Sequence, residues 1–550
     1  MIPRQRLYAL SRSKPFLLRT CGIILAALAL IALGISLAPA RKIDFQNVAS
    51  SALGGITPQG SRLIDQVRAA VTNPDATPRE IATTIRALDA FVLAYYYTLA
   101  TTPIGSSAAR PQADYLEDFN LANLLDLLAD APLDTSQRPL FMAWVKVLFA
   151  EPNSDEFQDG LAYLKTHAKM TPPVPFANEF LGDYFFNQDD FGTAADHYRD
   201  ESRLTNDPHA RERWISLLLS LQRTDELRTA IEDPAVRDSL TPRQWMALAI
   251  VEKDWKLLAR SIIKLDFSRA IGAEWCLAVL ACSVWFIILS QFTRFSWPRL
   301  LIYFLAVVAG VCSATATLFA VYLQEEFGGL TQGGNWIQHT LYFIVGVGVR
   351  EEVIKLIFFL PFLPVLLIRR HHAEALVTAA CVGLGFALQE NIGYYERSDA
   401  SNAIGRFITA NFLHLSLTGL LGYATYKMGC QLKRYWEEFV GTFIFVVIVH
   451  GVYDAFLVVP ELQEFSLLAI ILFVVIAYRF FDVVESVRDH RQLIVSPLAV
   501  FLVGFSILIG VAMNYVALES TFRATILAVG YALVSSAPIA FVYINRFRDE

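Results

Sequence analysis

The 550-residue chain is 55% hydrophobic and 18% charged, which is too apolar for a soluble enzyme. Its net charge of -6 excludes nucleic acid as a partner, because no basic surplus exists to neutralise phosphates. The six cysteines all lie in or beside apolar runs with no CxxC pair, so neither a disulfide frame nor a thiolate metal site is indicated.

Taken in chain order, a basic tail over residues 1–20 precedes an apolar run near 21–39. A helix rises about 1.5 Å per residue, so roughly 20 apolar residues cross a hydrocarbon core of about 30 Å. That first run therefore reads as a membrane anchor. Ala38-Pro39-Ala40 resembles a signal-peptidase site, but the run is longer than most signal peptides and an uncleaved anchor is expected.

Residues 40–270 are polar, with apolar residues at three and four spacings such as Leu121, Leu124, Leu125, Leu127 and Leu128. This predicts an all-helical domain. Between about 178 and 208, Leu181-Gly182, Phe185, Ala194, Tyr198 and Pro208 sit close to the signature spacing of a tetratricopeptide helix pair. An irregular helical bundle is the alternative. Either form is expected to present a protein-interaction surface.

Nine further apolar runs follow, near 271–291, 300–324, 337–367, 373–395, 405–427, 439–459, 465–482, 497–517 and 523–544. Positive residues recur at every second connection, including Arg294 and Arg299, Arg369 and Arg370, Lys427 with Lys433 and Arg434, and Arg546 with Arg548. The positive-inside rule then places both termini in the cytoplasm and residues 40–270 outside it. The predicted fold class is all-α: a polytopic helical bundle of about ten spans in the inner membrane, with an extracytoplasmic helical, tetratricopeptide-like domain. Residues 271–550 form its nine-span membrane domain.

An ionisable side chain in hydrocarbon costs about 2.5–3.5 kcal/mol on insertion scales, so each one needs a reason. Four places stand out. In GVGVREEVIKLIFFLPFLP, Glu351 and Lys355 share a helix face and can pair, while Glu352 points about 100° away, leaving one carboxylate less neutralised. In GLGFALQENIGYY, Glu390 and Asn391 close an apolar helix. In NFLHLSLTGLLGY, His414 is followed by the small residues Ser416, Gly419 and Gly422, which allow close helix contact. In VVIVHGVYDAF, His450 and Asp454 stand four apart on one face. Each place has a bland reading: an ion-paired cluster, a headgroup-level carboxylate, an interhelical hydrogen bond, a structural pair. Depths of roughly 8–20 Å from the outer ends of the spans are compatible with one shared cavity in the outer half of the membrane.

Carboxylates and imidazoles gathered in such a cavity suit general acid/base work, and the same set could hold Zn²⁺ with an open water position. No GxSxG, HExxH or Gly-rich phosphate loop is present. The ordered series EEVIK, FALQEN, an intramembrane His and HGVYD resembles the PrsW family of intramembrane proteases, over about residues 300–460. It is more distantly similar to the CAAX-protease and bacteriocin-processing superfamily. There FxxxH would stand where Phe386 and Glu390 do, and HxxxN where His450 and Asp454 do.

The resemblance implies that Glu351 or Glu352 activates water. Glu390, His414 and His450 would hold that water or a metal, and Asp454 would orient His450 or steady an oxyanion. Lys355 and Asn391 would support them. The implied activity is an intramembrane endopeptidase of metallo- or glutamate type, with Zn²⁺ or no metal. Its substrate would be a membrane protein, by analogy a regulatory one such as an anti-sigma factor. The rival readings are a proton- or ion-coupled transporter, disfavoured by the lack of an internal repeat, and a non-catalytic scaffold.

Overall fold

The computed structural model describes residues 4–37, 67–101, 121–269, 272–328, 332–396, 402–488, 495–519 and 522–548. The Ala38-Pro39-Ala40 motif lies outside them. Among the described residues the regular structure is entirely helical. The chain forms two compact units: Met1–Ala40 with Asp266–Glu550, and Arg41–Leu265.

In the apolar unit the principal helices are α1 (Lys14–Leu37), α2 (Ala273–Ser290), α3 (Trp297–Gly328), α4 (Val349–Phe359), α5 (His372–Tyr395), α6 (Ala410–Cys430), α7 (Leu432–Val458), α8 (Ser466–Val487), α9 (Pro497–Glu519) and α10 (Phe522–Arg548). Eight described helices are long and apolar enough to cross a membrane, α6 being counted with the short helix before it. The helix α2 is apolar but shorter.

The expected span at 337–367 is helical throughout but is not one regular α-helix. It is divided into Trp336–Leu341, a π-helical turn over Tyr342–Gly348, α4, a 3-10 turn over Leu360–Phe362, and Leu363–Arg369. The break has local causes. Pro361 and Pro364 lack the N–H that an α-helical ladder needs. At Gly348 a Cβ would stand 2.6 Å from the Val447 carbonyl oxygen of α7, and at Gly451 a Cβ would overlap the backbone of Ile344. Glycine at both places lets the π turn lie directly on α7, just before the Glu351-Glu352 pair.

The centre of this unit is the α5–α6 pair, buried on almost all sides. A Cβ at Gly383 would overlap the His414 carbonyl, and one at Gly422 would overlap Ala379. The small-residue stripe therefore does bring the two helices together, as expected of such stripes. One earlier and one later helix tie the base of α6. Trp285 Nε1 of α2 donates to the Phe407 carbonyl (2.8 Å), and Tyr543 of α10 donates to that of Ile408 (2.7 Å). Those carbonyls lie at the junction between Asn402–Ile408 and α6, where the ladder is interrupted.

The polar unit is built from short helices. Its helices Ala177–Asn187 and Phe191–Thr205 pack where Gly182 meets the ring of Tyr198: a Cβ there would come within 2.8 Å of it. Trp144 stacks on Phe180 with centroids 4.0 Å apart. Asp207 caps the next helix, Pro208–Ser220, by accepting from the N–H groups of His209 and Ala210.

Candidate active site in the membrane unit

Four elements converge on the buried ammonium of Lys355. From α4 itself come Glu351 and Glu352, from α5 Phe386 and Glu390, from α6 His414, and from α7 His450 and Asp454. Lys355 Nζ donates to Glu352 Oε1 (2.8 Å) and His414 Nδ1 (2.9 Å), and lies 3.3 Å from Glu351 Oε2. It also rests 3.9 Å from the centroid of the Phe386 ring. The expected Glu351–Lys355 pair forms, but the shorter bond is to Glu352. Glu351 is the less neutralised carboxylate, the reverse of what helix-face geometry suggests, because Lys355 bends back toward the buried acid three residues away.

The protons of both imidazoles can be assigned from their partners. An ammonium only donates, so His414 Nδ1 accepts and its Nε2–H is donated to Glu390 Oε2 (3.1 Å). The Nδ1–H of His450 is donated to Glu352 Oε1 (2.8 Å). Its Nε2 then faces Glu351 Oε2 at 3.6 Å and Asp454 Oδ2 at 3.5 Å. Glu352 is fully buried and keeps Oε2 without a hydrogen-bond partner. The side chains of Glu390 and Asp454 are 25% and 27% exposed, so these two mark the open side of the site.

One atom from each of Glu351, His414 and His450 lies within 4.8 Å of the others. This donor set differs from the expected one: Glu351 stands in it, and Glu390 does not. The cause is Arg406, which donates to Glu390 Oε2 (2.6 Å) and to Asn391 Oδ1 (2.6 Å) and stacks 3.7 Å from the Tyr394 ring centroid. Arg406 and His414 Nε2 thus meet at the same oxygen of Glu390. Asn391 lies apart from the ammonium, bonded to Arg406 and to Asn411 Oδ1 (2.7 Å).

Sequence reasoning passed over Arg406 as one of the few positive residues in a connection. A cation four residues before a membrane helix is an ordinary interfacial signal. Nothing in its spacing announces a partner sixteen residues earlier.

Residues 298–479 match the model of a family described as PrsW family intramembrane metalloprotease. That segment, about a third of the chain, is similar to the PrsW family and lies wholly in the membrane unit. No curated protein and no solved structure matches the chain. Every converging residue described above falls inside the matched PrsW segment. The metal that the family description implies can be tested against its donors. One carboxylate and two imidazoles, with His450 Nδ1 held by the outer carboxylate Glu352, are the ligand types and support that catalytic zinc takes. The residues fit. Glu351 and His414 are also bonded to Lys355, so the ammonium and an ion would compete for the same donors.

Proposed function

We propose that the PrsW-like segment is an endopeptidase that cleaves membrane-protein substrates inside the bilayer, with Glu352 as the proton carrier. The observation that carries this reading is Glu352 Oε2, which is buried without a hydrogen-bond partner while Lys355 and His450 hold Oε1. Lys355 and His450 hold Oε1, which fixes the carboxylate and leaves Oε2 to take a proton from water. As water attacks the scissile carbonyl carbon, Glu352 holds that proton and then returns it to the leaving amine nitrogen. Bound at Glu351, His414 and His450, a metal supplies a Lewis acid and a more acidic water. The buried Lys355 ammonium offers fixed positive charge near the same atoms, which is what a metal-free glutamate mechanism would need.

The alternation of positive residues supports a topology with both termini in the cytoplasm of an inner-membrane protein and the polar unit outside it. In that arrangement the polar unit, as a tetratricopeptide-like helix array, would recruit a protein partner or substrate. A regulatory membrane protein such as an anti-sigma factor is the substrate class we propose. The test uses purified full-length protein with single-span substrates, read by mass spectrometry, with bound metal measured in the same preparations. Glu352→Gln should lower cleavage by roughly 10²–10⁴-fold with the fold retained. A folded Glu352→Gln protein that cleaves like wild type would sink the assignment. The metal content separates the metallo and glutamate chemistries.

A further inference from the structure

A second site lies away from the ammonium cluster, between the ends of α6, α7 and α8. A cavity of about 590 Å³ opens there, with Lys427, Glu438, Arg479 and Asp482 on its walls beside Phe445 and Val475. Lys427 is three residues from the end of α6, Glu438 lies in the second turn of α7, and Arg479 and Asp482 lie in the last turns of α8. These positions lie toward one end of each of three helices that pack against one another. Lys427 pairs with Glu438. Arg479 and Asp482 stand 4.0 Å apart and are 61% and 62% exposed, so much of each charge remains available to a ligand.

We propose that this cavity binds the headgroup of a zwitterionic aminophospholipid of the phosphatidylethanolamine type. Two cations and two carboxylates balance, which matches a phosphate and a primary ammonium on one molecule rather than an anionic lipid. The phosphate is taken by Lys427 and Arg479, and the N–H donors of the ammonium by Glu438 and Asp482. The apolar wall of Phe445 and Val475 continues below the charges, and Val475 is half-exposed. An acyl chain fits that surface; a soluble anion leaves it bare. A choline headgroup lacks N–H donors, and a glycerol headgroup lacks the cation, so both should bind less well.

The experiment is native mass spectrometry of the full-length protein in detergent, offered equal concentrations of dioleoyl phosphatidylethanolamine, phosphatidylcholine and phosphatidylglycerol. Wild type should retain the ethanolamine lipid at least about fivefold over the others. The double variant Glu438→Gln/Asp482→Asn should lose that preference while its helical content and proteolytic rate stay at wild-type values. If the double variant fails to fold, Arg479→Gln and Asp482→Asn alone, at exposed side chains, should each weaken retention. Equal retention of the three lipids, or a preference surviving in folded charge variants, overturns the proposal. So does glycerophosphoethanolamine or inorganic phosphate competing as well as the whole lipid, because the site would then serve a soluble ligand.

Discussion

Each unit of this protein buries a cluster of charge, and the two clusters are finished differently. In the polar unit, Glu179 is fully buried and accepts from Arg79 on both oxygens and from Arg86 on one. Arg79 also reaches Asp207, Arg86 reaches Asp183, and the Tyr198 hydroxyl donates to Asp183 (2.6 Å). Burial alone would raise the Glu179 pKa, but the two guanidinium groups outweigh it and hold the carboxylate down at about 2. In the membrane unit, Glu352 receives two donors on one oxygen and none on the other. A carboxylate with both oxygens taken by arginine is a structural tie; one held on a single oxygen is positioned and still able to accept a proton.

The largest expected effect should come from removing the tie. Glu179→Ala leaves two arginines facing a buried gap and should destabilise the polar unit by about 3–5 kcal/mol. Chemical unfolding of the purified protein measures this, and cleavage of a short substrate that needs no recruitment should continue. If that cleavage stops while the membrane unit stays folded, the division of labour between the clusters is wrong.

Arg406→Gln sharpens the membrane side of the comparison. It frees Glu390 and loosens His414, so activity or metal affinity should fall roughly 10–100-fold, as for other residues that orient a ligand from behind. The readout is kcat separately from KM, because a positioning defect should appear mainly in kcat. Lys355→Met removes the competing ammonium, and zinc retained after dialysis should tighten by about tenfold. Unchanged retention would mean that lysine and metal do not share donors.

The most gradual effect is a pH dependence in the polar unit. Glu201 accepts from the Phe176 N–H (2.8 Å) and has its other oxygen buried without a partner. Burial, aided by the nearby Glu179 charge, pushes its pKa up to about 7 from an ordinary 4.5. A raised folded-state value means stability is fully present below pH 4.5 and is lost as pH rises through 7. Glu179 acts in the opposite sense, its stabilisation being present above 4.5 and lost as pH falls toward 2. Glu201→Gln should therefore flatten the decline in stability between pH 5 and 8, by on the order of 2 kcal/mol. Asp89, also raised to about 7 by burial, should leave a residual slope.

Much of the membrane unit was legible because hydropathy and helix length are local properties. The run 497–517 corresponds to α9 with a small change at its end, and 21–37 falls within α1, which begins seven residues earlier than expected. The charged residues of the site were legible for the same reason: Glu351, Glu352, His414 and His450 stand out because hydrocarbon penalises them. The division of 337–367 was less so. Its glycines and prolines are visible, but whether they bend a span or merely sit in it depends on α7 lying against Gly348 and Gly451.

By itself, the sequence determined an all-helical apolar unit, a polar helical unit, and a short roster of intramembrane ionisable residues. Tertiary structure alone decided which of them touch. It gave Lys355 to Glu352, His450 Nδ1 to Glu352, and Glu390 to Arg406, leaving Glu351 with the imidazoles. The physical reason is that a spacing of three or four residues fixes a shared helix face, whereas a partner 16 or 98 residues away is selected only by how helices pack.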